Sequence, residues 1–148
     1  QREEVTTIGV VGHSVGGGAA ILSASRGGSL HALVSVSAPA DPGALMRQQM
    51  ASAPRPVRAA ALGLIQRAIG QSFEEFAPCN RIPLVQVPIL LVHGAADDVV
   101  PLENLHQLAA ARPDAEVLVV ADGAHSDLDR FLPHVGDITA FLGKHLFR

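Results

Sequence analysis

The chain has 148 residues, 48% of them apolar and 17% charged, with a formal net charge of −3. That length suits one domain with a real core, and that charge leaves no electrostatic footprint for nucleic acid or an anionic membrane surface. Five Phe without Trp or Tyr offer few stacking platforms, no run of about 18 apolar residues marks a membrane span, and the single Cys79 excludes an internal disulfide.

Thr7 to Val11, closed by Gly12, reads as a short buried strand. Ser14 to Arg26 reads as a helix with Ala19, Ile21 and Leu22 available to a core, and Gly27-Gly28 stops it. Leu30 to Val36 is a second strand. The stretch from Asp41 to Arg81 then breaks the rhythm with two helix-like segments, Gly43 to Ala51 and Pro56 to Ile69. Pro88 to Val92 is a third strand, followed by a helix that Pro101 opens and that ends before Pro113. Val117 to Val120 is a fourth strand. Pro133 to Leu146 is the last helix, with Val135, Ile138, Phe141, Leu142 and Leu146 on one face. Wholly apolar strands alternating with helices predict a parallel sheet with helices on both faces, an α/β fold. There is no repeat and no linker, so residues 1–148 read as one domain carrying an insertion at 41–81. The four strands are expected in chain order, which leaves the Ile8–Val10 strand at an edge and open to self-association.

Gly12-His13-Ser14-Val15-Gly16 fits G-x-S-x-G between a strand and a helix, where that motif has a mechanical meaning. The turn is too sharp for side chains at its flanks, so Gly12 and Gly16 admit the close backbone approach. It holds Ser14 exposed and strained above the sheet as a nucleophile. The Val15 amide, at a helix N-terminus, is placed for a developing oxyanion. Gly17 and Gly18 suit tight helix packing. The phosphate-cradle reading fails, because Ser14 replaces the second glycine of G-x-G-x-x-G and no Gly-Lys-Ser/Thr follows.

A serine hydroxyl needs a base, and the base needs a carboxylate to orient it. Of seven histidines only His125, after the fourth strand, lies in the right loop and chain order. His13 is expected to point away from Ser14, and His93 to pack under its loop. His31 belongs near the second strand, and His106, His134 and His145 fall on helices. The acid stays open between the neighbours Asp97 and Asp98, one of which should accept backbone N–H bonds in the turn; Asp122 and Asp127 suit the His125 loop itself. A metal site of His93, Asp97, Asp98 and His125 is an alternative, and so is a non-catalytic binding protein with an intact-looking site. The serine reading calls for no cofactor.

Gly12 to Gly17, the run Val87 to Pro101 and Gly123-Ala124-His125 together resemble the α/β-hydrolase superfamily, in its dienelactone-hydrolase-like, serine-aminopeptidase-like and acyl-esterase branches. The resemblance implies Ser14 as nucleophile, His125 as base and Asp97, three residues after the glycine of His93-Gly94, as acid. It implies one oxyanion amide at Val15 and a helical cap at 41–81 over the site. The implied substrate is a small acyl compound, above all a carboxylic ester; thioesterase, acyltransferase and peptidase chemistry share the machinery. The 148 residues map onto the second half of that fold, without its first four strands or the loop that gives a second oxyanion amide. A longer natural protein is therefore expected, with this stretch alone inactive. The chain opens on Gln1 rather than Met, so its start is no guide to localisation, and a cytoplasmic setting is only the default.

Overall fold

The computed structural model describes residues 6–147. Four strands, β1 (Gly9–His13), β2 (Ala32–Val36), β3 (Ile89–Gly94) and β4 (Glu116–Val120), lie in chain order and pair in parallel. Val11 stands beside Val34, Val34 beside Leu90, and Leu91 beside Val117. Every residue of β2 and β3 is buried, as expected of strands inside a sheet covered on both faces. Alternation sends Leu33, Ile89 and Leu91 to one face, where they meet Ile21, Ile82, Val85, Leu105 and Leu108. Ala32, Val34, Val36, Leu90 and Val92 take the other face, against Phe141. Burying each Leu, Ile or Phe contributes about 1.5–3 kcal/mol, so these two layers carry the fold.

Helix α1 (Val15–Ser25) crosses from β1 to β2. Its buried face is Gly17, Gly18, Ala20 and Ile21, whereas the predicted Ala19 is exposed. The helix lies so close to β2 that its contact row holds glycine, and a Cβ on Gly17 would come within 2.8 Å of Ser35 Oγ.

After β2 come α2 (Pro42–Gln49) and α3 (Arg55–Ile69), close to the predicted pair. Asp41 caps α2 by accepting from the Ala44 N–H at 2.9 Å, and Gly70, at φ 77°, ends α3 in the left-handed conformation that glycine tolerates. Two one-turn helices that the sequence reading passed over follow, α4 (Phe73–Phe76) and α5 (Pro78–Arg81). Ser72 and Glu75 form a capping box at α4. The base of this segment is tied to the body: the Cys79 N–H donates to the Ala40 carbonyl, and a Cβ on Gly18 would stand 3.2 Å from Pro78.

Helix α6 (Glu103–Ala111) begins two residues after Pro101, because the Pro101 carbonyl is engaged in a turn by the Asn104 N–H. A short helix α7 (Leu128–Phe131) and a 3-10 turn lead into α8 (Val135–Leu146). Phe141 of α8 is buried as predicted, but Val135 is 46% exposed. The edge strand β4 leaves Val117 and Val119 substantially exposed, so it is not covered on both faces. Among the described residues no helix is long and apolar enough to cross a membrane.

Candidate active site

The parallel ladder runs one residue beyond β1, β2 and β3. The Ser14 N–H donates to Val36 O, Ser37 N–H to Val92 O and Ala95 N–H to Val120 O, each within 2.9 Å. The loops that carry Ser14, Asp97 and His125 therefore leave one edge of the sheet, the C-terminal edge where open parallel sheets bind ligands.

Ser14 sits between β1 and α1 with φ 55° and ψ −123°, a conformation that costs a non-glycine residue about 1–3 kcal/mol. The surrounding backbone enforces it. A Cβ on Gly12 would overlap the Gly16 carbonyl and stand 2.7 Å from Gly17 N, so position 12 admits no side chain. Gly16 differs from the expectation: a Cβ there meets nothing within 4 Å, and the close approach uses its backbone alone. Val15 opens α1, and the first-turn N–H groups of a helix have no partner within it.

Asp97 is buried in the loop after β3. Its Oδ1 accepts from the N–H groups of Val99 (3.1 Å) and Val100 (2.8 Å), and its Oδ2 lies 2.8 Å from His125 Nδ1. One carboxylate thus does both tasks that the sequence reading divided between Asp97 and Asp98, and Asp98 is exposed. Burial works against the charge of Asp97, but the Val100 N–H, the His125 imidazole and the nearby Ser37 hydroxyl outweigh it. They hold the carboxyl below its ordinary range.

His125 Nε2 lies 3.0 Å from Ser14 Oγ. A carboxylate accepts only, so His125 Nδ1 carries the hydrogen, and Nε2 of the neutral ring is free to accept from the serine hydroxyl. The loops of acid and base touch. A Cβ on Gly94 would overlap the Gly123 carbonyl, which itself accepts from the Ala96 N–H at 3.0 Å.

His93 packs under the loop as expected, 1% exposed, with Nε2 donating to the Val100 carbonyl at 2.8 Å. Burial, only partly offset by that carbonyl and by Asp97, holds its pKa below the ordinary imidazole value. The four-ligand metal alternative finds no support in the arrangement: His93 Nε2 donates to a carbonyl, Asp98 is exposed, and among the described residues no group of three or more His, Cys, Asp or Glu side chains is arranged to hold a metal ion.

Two residues enter the site without having been singled out for it. His13, expected to point away from Ser14, has Nε2 2.7 Å from the His125 carbonyl, with ring centroids 4.9 Å apart. Alternation was the available signal, since Gly9, Val11 and His13 share one face of β1, whose Gly9 end meets α8: a Cβ on Gly9 would stand 2.9 Å from Leu146. Ser37, fully buried at φ 48°, had no such signal. Cys79 is half-buried, and its burial, with Asp41 nearby, raises its thiol pKa and disfavours a reactive thiolate.

A parallel sheet with a strained serine in its first strand-to-helix turn, and a carboxylate and a histidine in the loops after its last two strands, defines an α/β-hydrolase. Residues 4–146 match the prolyl oligopeptidase family, and the chain belongs to that family of serine hydrolases. Solved structures agree on the fold. An esterase domain from Rhodothermus marinus is 22% identical, with a TM-score of 0.69 over 93% of this chain and 60% of that one. A puromycin-hydrolyzing peptidase of Mycobacterium tuberculosis is 20% identical, with a TM-score of 0.72 over 93% of this chain and 22% of its own. An acylaminoacyl peptidase of Pyrococcus horikoshii is 15% identical, with a TM-score of 0.72 over 98% and 25%. The chain thus spans less than two thirds of each of these structures. No curated protein matches the sequence significantly.

Proposed function

We propose that the chain carries the nucleophile, base and orienting acid of an acyl hydrolase that works through a covalent acyl-enzyme on carboxylic esters. The observation that supports this most is the unbroken relay from Ser14 Oγ to His125 Nε2 (3.0 Å) and from His125 Nδ1 to Asp97 Oδ2 (2.8 Å). Ser14 Oγ attacks the substrate carbonyl while its proton passes to His125 Nε2. Asp97 stabilises the imidazolium that forms and fixes the ring's tautomer. Collapse of the tetrahedral intermediate expels the alcohol, which takes the proton from His125; water then enters by the reverse sequence and frees the acid. The Val15 N–H is one donor to the oxyanion, a contribution of about 10²–10³ in kcat where one such donor has been removed. The 41–81 segment leaves β2 at the same sheet edge as Ser14, and Gln49 Nε2 donates to the Val99 carbonyl two residues from Asp97. That position suits a cap over the acyl group.

A second reading, amide rather than ester bonds, is favoured by the family match and by the two peptidases among the structures of like fold. The relay serves both, since the leaving amine takes the same proton from His125. Hydrolysis of p-nitrophenyl acyl esters and of aminoacyl and prolyl p-nitroanilides by the full natural chain separates them. Higher kcat/KM on the esters is the expected result; higher kcat/KM on the anilides would move the assignment to peptides.

A further inference from the structure

We propose that His13 is a positioning residue for His125, a role that rests on the reading just given. Ser14 and His125 start from opposite edges of the sheet, since the order is β1-β2-β3-β4. At about 4.8 Å per strand interval, the loop after β4 must reach back roughly 14 Å to bring His125 to the nucleophile. Near its root the loop is tied to its neighbour by Ala95 N–H on Val120 O and Ala96 N–H on Gly123 O. At its tip the backbone is tied differently: His13 Nε2 lies 2.7 Å from the His125 carbonyl.

A carbonyl oxygen only accepts, so His13 Nε2 carries the hydrogen and donates it. The donor belongs to the residue next to Ser14, and its ring lies at 47° to that of His125 with centroids 4.9 Å apart. One residue pair thus spans both ends of the relay. The His125 side chain meets Ser14, and its main chain is held by the neighbour of Ser14. Acyl transfer is sensitive to such placement, because about 1 Å of displacement at a reacting group can cost 10² in rate. The bond fixes the distance from His125 Nε2 to Ser14 Oγ without touching substrate, so its loss should appear in kcat and not in KM.

The test compares wild type, His13→Phe and His13→Gln in the full natural chain. His13 is exposed, and Phe keeps a ring against His125 while removing the donor; the Gln amide restores an N–H at similar reach. Each is assayed for the rate of Ser14 labelling by a fluorophosphonate, for kcat and KM on a p-nitrophenyl ester, and for melting temperature. His13→Phe should label and turn over on the order of tenfold more slowly with KM unchanged, the worth of one hydrogen bond, and His13→Gln should recover most of that loss. Parental rates in His13→Phe, or equal slowing in both variants, would overturn the role of the N–H. A similar fall in melting temperature in both would mark a structural part instead and overturn it too. If wild-type Ser14 takes no label, the serine reading itself fails and the His13 role falls with it; labelling that is indifferent to His13 defeats only the present inference.

Discussion

Asp97 divides its two oxygens between two partners: Oδ1 holds the turn through Val99 and Val100, and Oδ2 meets His125. Asp97→Asn can keep the turn with its carbonyl oxygen but must offer an amide N–H to His125 Nδ1, which selects the wrong tautomer. By analogy with loss of a triad acid, kcat should fall by roughly 10⁴ with folding intact, while Asp98→Asn should leave kcat near parental. The reverse ranking in steady-state kinetics would move the acid to Asp98. His93 predicts a pH effect of a different kind. Its folded pKa lies below the ordinary 6.5, so below about pH 6.5 the unfolded chain binds the extra proton more readily than the folded one. Stability contributed by neutral His93 is therefore full above that pH and is lost as pH falls toward the folded value, while Asp97 stays charged through the window. His93→Gln, which retains a donor for Val100 O, should flatten the melting temperature between pH 7 and 5; parallel curves for the two proteins would refute this. At this scale the sequence carried the order Ser14, Asp97, His125 and the choice of loops. The dual use of Asp97 and the buried Ser37 were not legible, because each depends on contacts between loops distant in the chain; for His13 only the face of β1 was legible, not its contact with His125.

The β1–α1 turn separates two glycines that look alike in the motif. Gly12 is crossed by the Gly16 carbonyl, whereas Gly16 has open space at its own Cβ position. Gly12→Ala should therefore cost about 1–3 kcal/mol through backbone displacement and disturb Ser14, whereas Gly16→Ala should melt at or slightly above the parental temperature, as a helix position gains from Ala. Chemical denaturation of the two variants checks the contrast, and equal destabilisation would show that both flanks are crowded. Strand positions were legible because β2 and β3 are predominantly apolar runs, broken only by Ser35 and His93. Helix faces were less so. The tight packing expected of Gly17 and Gly18 is present in α1, but Ala19, also expected on the buried face, is exposed, because apolar character alone does not fix which side of a helix meets the sheet. The start of α4 is legible in Ser72 and Glu75, a capping-box pair.

For the molecule as a whole, the strand order leaves β1 and β4 with one neighbour each. Beside the site, His13, His125, Leu128, Phe131, Leu132 and Val135 line an open apolar cavity of about 350 Å³. Leu128 is 69% and Val15 75% exposed. A strand with one open edge beside such apolar surface invites association. The 148 residues produced alone are expected to self-associate in sedimentation velocity and to hydrolyse a generic ester near the uncatalysed rate. A monodisperse monomer with ordinary esterase turnover would contradict that expectation. Strand order and the β1 edge followed from chain order and parallel pairing. Excess exposed apolar area was expected too, but its place beside His125 was not, because exposure is settled by which elements lie over a face rather than by the face itself.

Whether Ser14 is a nucleophile driven by His125 is decided by mapping a covalent fluorophosphonate adduct in the full natural chain by mass spectrometry. One adduct is expected, on the peptide containing Ser14, absent in Ser14→Ala and slowed by several orders of magnitude in His125→Ala. The double variant should turn over ester no more slowly than Ser14→Ala alone, because the two residues act as a unit. An adduct on another residue, or full esterase turnover in Ser14→Ala, would contradict the nucleophilic role of Ser14.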